Sequence, residues 1–160
     1  MNRIYWLPDQ PKGRLGMMAR PRGNDWLADE IQHLKMNKVC IVVSLLEKDE
    51  AYELGLQKEP LICLQSGIEL ISFPIPDRST PEDKKSFINL ARQLLEKLNT
   101  GQNITIHCRM GIGRTALLCA AILVLQGADP ATVFEHLSAA RTLKVPDTQE
   151  QKKWLQSLDF

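Results

Sequence analysis

A short segment of the sequence combines a candidate nucleophile, two glycines and an arginine, and it reads His107-Cys108-Arg109-Met110-Gly111-Ile112-Gly113-Arg114-Thr115. It lies between a short β-branched run and a long apolar run, which predicts a strand-to-helix turn. Backbone N–H groups in such a turn can converge on an anion, and the positive end of the following helix strengthens their field. The two glycines permit the dihedral angles and the close approach that this cradle needs. The backbone of residues 109–113 is therefore predicted to bind phosphate.

The two reactive side chains of this segment suit phosphoryl transfer. The same positive field would hold the sulfur of Cys108 as a thiolate, which is the nucleophilic form of cysteine. Arg114 offers a planar fork of donors that fits two phosphate oxygens and can follow the charge that spreads over them in a transition state. Cys108 is therefore the predicted nucleophile and Arg114 the predicted phosphate ligand.

The order of cysteine, five residues, arginine and then threonine, preceded by histidine, resembles the signature loop of the protein tyrosine phosphatase superfamily. Other stretches resemble its compact dual-specificity branch, which includes the cyclin-dependent-kinase-associated phosphatases. They include Phe73-Pro74-Ile75-Pro76-Asp77 and residues 151–155, so the resemblance covers nearly the whole chain. It implies a cysteine-dependent phosphatase that works through a phosphocysteine intermediate, without a metal ion or other cofactor.

The resemblance also implies roles for individual residues. Thr115 would hydrogen-bond the departing thiolate, and His107 would help to set the charge of that sulfur. Asp77 would protonate the leaving oxygen and later activate water. Relatives carry Gln-Thr before a final glutamine, whereas this chain has Asp147 before Thr148, so Gln151 is the only matched glutamine for positioning water.

Several structural readings stay open beside these roles. Asp77 could be a turn residue, with Glu82 and Asp83 as the next candidate acids. His107 could be a core histidine, and Arg109 could either face an acidic substrate or hold the loop through a salt bridge. The other cysteines are expected to be small apolar residues, and the three tryptophans are expected to pack in or beside the core: Cys40, Cys63, Cys119, Trp6, Trp26 and Trp154.

The element pattern predicts an α/β fold with a mainly parallel central sheet flanked by helices. Residues 38–46, 69–75 and 104–107 form apolar, β-branched runs that predict buried strands. Helices are predicted from Asn24, from Thr80 and from Asp129. Residues 116–125 are apolar all round, which predicts a buried central helix directly after the phosphate loop.

The length and net charge of the chain limit the number of domains and the kinds of partner that it can have. The 160 residues suit one domain, residues 1–160, without repeats or linkers. With 20 basic and 19 acidic residues the net charge is +1, which argues against nucleic acid or an anionic membrane as a partner. The sequence shows no signal-like apolar start and no metal-ligand spacing, so we expect a cytoplasmic monomer that acts on a phosphorylated protein.

The substrate stays partly open at this stage. Phosphotyrosine is the safest prediction, and phosphoserine and phosphothreonine remain alternatives because the depth of the pocket cannot be read from the sequence. A phosphoinositide phosphatase would usually carry lysines in the loop, where this chain has Arg109, Met110 and Ile112. A silent phosphoprotein-binding module would lack the nucleophile or the acid, yet Cys108 and Asp77 are both present.

Overall fold

The computed structural model describes residues 2–160, which contain a five-stranded sheet in the order β1-β2-β5-β3-β4. The strands are β1 (Tyr5–Trp6), β2 (Leu15–Ala19), β3 (Ile41–Ser44), β4 (Glu69–Ser72) and β5 (Ile104–Cys108). The short β1 pairs antiparallel with β2, and the other neighbours pair in parallel. The predicted mainly parallel sheet flanked by helices is confirmed.

Seven α-helices cover the sheet within the described part of the chain. They are α1 (Leu27–Met36), α2 (Lys48–Glu53), α3 (Glu59–Gln65), α4 (Lys84–Asn99), α5 (Arg114–Leu125), α6 (Val133–Arg141) and α7 (Gln149–Gln156), and a short 3-10 helix, Asn24–Trp26, precedes α1. Parallel strands need such crossover helices, because the chain must return to the same edge of the sheet before each new strand.

Alternating side chains divide the core into two layers. In β3, Ile41 and Val43 join a cluster with α4, α5, α6 and α7, whereas Val42 joins a second cluster with α1 and α3. Successive side chains of a strand point to opposite faces, so the sheet is covered on both sides. The apolar runs of β3 and β5 reflect this double burial, whereas β4 is the edge strand and has no buried residue, so the prediction of a buried strand in residues 69–75 is wrong.

Helix α5 lies at the centre of the larger layer. Every residue from Arg114 to Ile122 is buried, as the apolar composition of this stretch predicts. The helix contacts α4, α6, α7, β2 and β5. The phosphate loop is thus joined to an element that is fixed by packing on all sides.

Some predicted boundaries are wrong by a few residues. Helix α4 begins at Lys84 rather than at Thr80, because the carboxylate of Asp83 accepts the N–H groups of the first turn. Helix α6 begins at Val133, four residues after Asp129. Trp26 is 55% exposed beneath the guanidinium of Arg22, so the expectation that it packs in or beside the core is wrong.

The carboxyl ends of the parallel strands meet at one edge of the sheet. Ala19 of β2 lies opposite Cys108 of β5, and Ser44 of β3 lies opposite His107. Ligand sites of open α/β sheets form at this edge. Among the described residues, no helix combines the length and the apolar character needed to cross a bilayer.

Candidate active site

The predicted phosphate loop connects the last residue of β5 to the first residue of α5. Gly111 has a φ of 70°, in the left-handed region that favours glycine. A Cβ atom at Gly111 would overlap the backbone of Met18 and Ala19 at the end of β2. The N–H of Arg20 also donates to the carbonyl of Arg109, at 3.2 Å. The loop therefore lies directly against the neighbouring strand.

Cys108 stands at the base of this loop with 2% of its surface exposed. The hydroxyl of Thr115 donates a hydrogen bond to the sulfur, at 3.1 Å, from the first turn of α5. The buried Cys119 lies further along the same helix, and burial, with a smaller effect of Cys108, raises the pKa of its thiol. Cys119 is thus a neutral neighbour, whereas Thr115 offers the sulfur of Cys108 a hydrogen bond.

The guanidinium of Arg114 is held by a fixed set of acceptors. It forms a bidentate ion pair with Glu50, in which Nη1 and Nη2 lie 2.6 Å and 3.0 Å from the carboxylate oxygens. Nη1 also donates to the carbonyl of Ile75, at 2.8 Å. Its side chain is 1% exposed. Burial alone would lower the pKa of Arg114, but the hydrogen bond to Glu50 and the charges of Cys108, Glu50 and Asp77 together raise it. The guanidinium is therefore charged and fixed in position.

Asp77 follows β4 in a proline-containing segment and reaches the same arginine. Its carboxylate accepts a hydrogen bond from Nη2 of Arg114, at 3.0 Å, and 47% of its side chain is exposed. The alternative acids are elsewhere: Glu82 is exposed, and Asp83 caps α4. Hydrogen bonds from Ser86, side chain first, lower the pKa of Asp83, which does not suit a proton donor. Of these three acids, only Asp77 bonds to Arg114.

Glu50 of α2 is a site residue that sequence reasoning missed. It pairs with Arg114 and also with Arg109, at 3.4 Å, while its own carboxylate accepts from the backbone start of its helix. Burial alone would raise the pKa of Glu50, but hydrogen bonds from Arg114, from Glu47 and from Arg109 lower it. The capping pattern Glu47-x-x-Glu50 could have located the helix start, but nothing local in the sequence links it to the loop.

Arg141 of α6 is a second missed residue. Its guanidinium donates to the carbonyls of Met110 and Gly111, at 3.0 Å and 3.2 Å, and lies 4.1 Å from the ring centre of Tyr5. The carbonyls of Met110 and Gly111 are thereby engaged by Arg141. The segment after α5 thus fixes the backbone that precedes it.

The remaining predicted residues occupy supporting positions. Arg109 pairs with Glu50 and lies 3.9 Å from Glu53, which favours the salt-bridge reading of this residue. Met110 is 59% exposed at the rim of the loop, and Ile112 is partly buried. A carbon at Gly113 would overlap Asp147, whose carboxylate lies 3.9 Å from Arg78.

Gln151 and His107 are both fully buried. The amide of Gln151 caps α7 together with Thr148 and donates to the carbonyl of Ser79, at 3.0 Å. Its amide nitrogen lies beside Gly113, and these contacts use one of its two N–H groups and one lone pair of its oxygen. Nε2 of His107 lies 2.8 Å from the carboxylate of Glu59 of α3, a third residue that the sequence did not indicate.

Within residues 2–160, no group of three or more histidine, cysteine, aspartate and glutamate side chains could hold a metal ion. The site combines a buried cysteine, a glycine-containing loop, a fixed guanidinium and one half-exposed carboxylate.

Known structures share this architecture. The chain is similar to a crystal structure of a kinase associated phosphatase (KAP) with a serine at its catalytic cysteine: the TM-score is 0.88, the identity is 22%, and 96% of this chain and 92% of that chain are covered. It is also similar to the crystal structure of Tk-PTP in the active form, with a TM-score of 0.76, 26% identity and 92% of each chain covered.

The chain also has a relative by sequence among viral proteins. The chain is 32% identical over 100 residues to putative tyrosine phosphatase 067L of Invertebrate iridescent virus 3, which covers 61% of this chain and 39% of the relative. The chain therefore spans about two fifths of the length of that curated relative.

A family model described as "Polymorphic toxin system, DSP-PTPase phosphatase" matches residues 15–128, more than half of the chain. The matched span includes the phosphate loop and the segment that carries Asp77. It confirms the resemblance to the compact dual-specificity branch that the signature loop indicates. The chain belongs to the DSP-PTPase phosphatase family of polymorphic toxin systems.

Proposed function

We propose that this chain is a cysteine-dependent protein phosphatase that hydrolyses phosphotyrosine through a phosphocysteine intermediate. The observation that carries the proposal is the meeting of three groups at one loop. Cys108 accepts a hydrogen bond from Thr115, and the fixed guanidinium of Arg114 joins the loop to Asp77. A nucleophile, an anion ligand and a proton donor are the parts that two-step phosphate transfer needs.

The hydrogen bonds of Arg114 support a specific way for substrate to bind. Four of its five N–H groups already have acceptors: Glu50 twice, Ile75 and Asp77. The Nε–H has no partner among the described residues. Two adjacent N–H groups of the fork can bind a phosphate only if Asp77 leaves Nη2, because Glu50 and Ile75 are the more deeply buried partners. Phosphate and Asp77 therefore compete for the same donor.

This competition frees Asp77 for the first chemical step. Once phosphate displaces it from Nη2 of Arg114, the carboxyl group of Asp77 is available to the leaving oxygen. The thiolate of Cys108 then attacks phosphorus, an S–P bond forms, and the P–O bond to the tyrosine side chain breaks. Asp77 delivers its proton to the departing oxygen.

The second step regenerates the enzyme. Asp77, now ionised, accepts a proton from a water molecule, whose oxygen attacks phosphorus as the S–P bond breaks. Cys108 leaves as a thiolate that the hydroxyl of Thr115 stabilises, and inorganic phosphate is released. The mechanism moves no electrons to an acceptor and calls for neither a metal ion nor an organic cofactor.

Aryl phosphate on a protein is the substrate class that this proposal names. Relatives described as tyrosine phosphatases support it, and phosphoserine and phosphothreonine remain in the test panel. Arg109 is paired with Glu50 and Glu53, so this loop offers few free cations for the extra phosphates of an inositol lipid. A monomeric state and a cytoplasmic location stay predictions from the sequence.

Trapping the intermediate tests the proposal. The wild type is mixed with a ³²P-labelled phosphotyrosine peptide and quenched in acid, and the labelled residue is identified by mass spectrometry. We expect phosphate on Cys108, and we expect Cys108→Ser to bind the peptide while turnover falls by at least about 10⁴-fold. Inositol lipids and p-nitrophenyl phosphate complete the panel.

Cys40→Ser is the matched control. Cys40 precedes β3 at the opposite edge of the sheet, and its thiol faces the carbonyl of Lys38. This variant should keep wild-type turnover. Normal turnover by Cys108→Ser, or tight peptide binding by a wild type that hydrolyses nothing, would overturn the proposal and leave an unrelated enzyme or a binding module.

A further inference from the structure

A buried pair of a histidine and a glutamate lies directly behind the nucleophile, on the opposite face of the sheet. His107 has no exposed surface and Glu59 is 3% exposed, and Nε2 of the histidine lies 2.8 Å from Oε2 of the glutamate. Glu59 is the first residue of α3, which packs on α1 and β4. None of the roles assigned above uses this carboxylate.

The two ring nitrogens of His107 both face acceptors. Nε2 faces the carboxylate of Glu59, and Nδ1 lies 3.4 Å from the carbonyl oxygen of Cys108. A neutral imidazole has one N–H and would leave its other nitrogen against a lone pair. The imidazolium satisfies both contacts, and the carboxylate of Glu59 offsets the cost of burying its charge.

The charged groups around this pair support the same assignment. Cys63 lies one turn along α3, and burial, with a smaller effect of Glu59, raises the pKa of its thiol to about 12, so it is neutral. On the other face, Cys108 lies near Arg114 and the neutral Cys119. Glu59 is therefore the anion that balances His107, whereas Glu50 and Asp77 are engaged with Arg114.

We propose that Glu59 is a positioning residue that keeps His107 positively charged, and that this charge favours the thiolate form of the adjacent Cys108. Glu59 touches neither phosphate nor sulfur and acts only through the histidine. The inference deepens the proposed function, on which its catalytic consequence rests. A purely structural ion pair would stabilise the fold without changing the ionisation of the cysteine.

The pH dependence of cysteine alkylation separates these two roles. Iodoacetamide reacts with thiolates, so the rate at which Cys108 is labelled, read by mass spectrometry, reports its ionised fraction at each pH. In Glu59→Gln the histidine loses its counter-ion, and we expect the labelling midpoint of Cys108 to rise by about one pH unit. The acidic limb of kcat/KM should move in the same direction.

Matched variants make the assignment specific. Glu59→Asp keeps the charge and should recover part of the shift, and labelling of Cys40 should be the same in every protein. His107→Asn should raise the midpoint by itself, and Glu59→Gln should add nothing in that background. An unmoved or lowered midpoint in Glu59→Gln, with reduced thermal stability, would overturn the proposal.

A second measurement needs no variant. The ¹⁵N chemical shifts of the His107 ring in the labelled wild type report its protonation state at pH 7. We expect a doubly protonated ring, and a neutral ring would overturn the inference even if Glu59→Gln does not fold. Labelling and NMR are independent of turnover, so a protein without phosphatase activity that shows both effects would refute the proposed function alone.

Discussion

The N–H donors of Arg114 have two uses, because they bind carboxylates of the protein and are also proposed to bind the phosphate of the substrate. The ion pair with Glu50 fixes the plane of the guanidinium, while the bond to Asp77 occupies the donor that a phosphate would take. A lysine could supply the positive charge, but its ammonium group is not planar and could not bind Glu50 and a phosphate through separate pairs of N–H groups. The arrangement links anion binding to the release of the carboxylate that must carry a proton.

The role of Asp77 can be tested through the leaving group. A general acid matters most when the departing oxygen is strongly basic, so Asp77→Asn should reduce kcat for phenyl phosphate by about 10²- to 10⁴-fold. The loss should be smaller for p-nitrophenyl phosphate, whose leaving group is more acidic. Rates for a series of substituted phenyl phosphates measure this dependence.

The exposed Glu82 provides the control for this series. Glu82→Gln should keep the leaving-group dependence of the wild type. The acid would lie elsewhere if Asp77→Asn slowed every substrate equally.

At the residue scale, the sequence predicted the groups of the loop and missed two of their carboxylate partners. Cys108 and Arg114 follow from local spacing, and the family resemblance adds Thr115 and Asp77. Glu50 lies 64 residues from Arg114, and Glu59 lies 48 residues from His107. Such pairs depend on which helices meet at an edge of the sheet, and local periodicity in the sequence does not predict these long-range contacts.

At the element scale, the long helices and the β-branched strands were located, whereas the short helices α2 and α3 and the strand β2 were not. The buried α5 and the amphipathic α4 are 12 and 16 residues long, which is enough for their periodicity to be recognised. Helices α2 and α3 have only 6 and 7 residues. Strand β2 reads Leu-Gly-Met-Met-Ala, without β-branched residues, and its pairing with β5 determines its conformation.

The contact between the loop and β2 makes Gly111 a test at this scale. Gly111→Ala would introduce a carbon where the backbone of Met18 lies, so the cradle must shift. A displacement of about 1 Å is enough to cost on the order of 100-fold in rate. We expect that loss in kcat/KM for p-nitrophenyl phosphate.

Gly67→Ala is the matched control, because Gly67 has a similar φ of 75° and nothing within 4 Å of an added carbon. It precedes β4, at the edge of the sheet away from the loop. Both variants should lose about 1 kcal/mol of stability through backbone strain. Activity should fall only in Gly111→Ala, and an equal fall in both would refute the steric explanation.

At the scale of the whole molecule, charged side chains join elements that the apolar core does not. Helix α2 is short and four of its six residues are exposed, yet Glu50 connects it to Arg109 of the loop and to Arg114 of α5. Through Arg114 it is also connected to the segment of Asp77. A near-neutral chain thus concentrates its electrostatic interactions at the functional edge of the sheet.

The lowered pKa of Glu50 gives the stability of the fold a predictable pH dependence. The ordinary value for a glutamate is 4.5, and the folded protein holds the pKa of Glu50 below it. Its stabilising contribution is therefore complete above about pH 4.5 and is lost as the pH falls through the lower folded value. Glu50→Gln should lower Tm at pH 7 by about 2–4 °C, the equivalent of about 1 kcal/mol. The difference in Tm between wild type and variant should then shrink as the pH falls below 4.5.

Thermal melts from pH 7 to pH 3 measure this difference. Glu53 lies on the same helix, is exposed and reaches Arg109 only at 3.9 Å, so Glu53→Gln should follow the wild-type curve throughout. Both substitutions remove one negative charge from α2, and only one of them removes a buried partner of Arg114. A constant Tm difference between wild type and Glu50→Gln at every pH would mean that the glutamate stabilises the fold by packing. Equal effects of the two variants would mean that net charge, rather than the ion pair with Arg114, controls the acid stability of the protein.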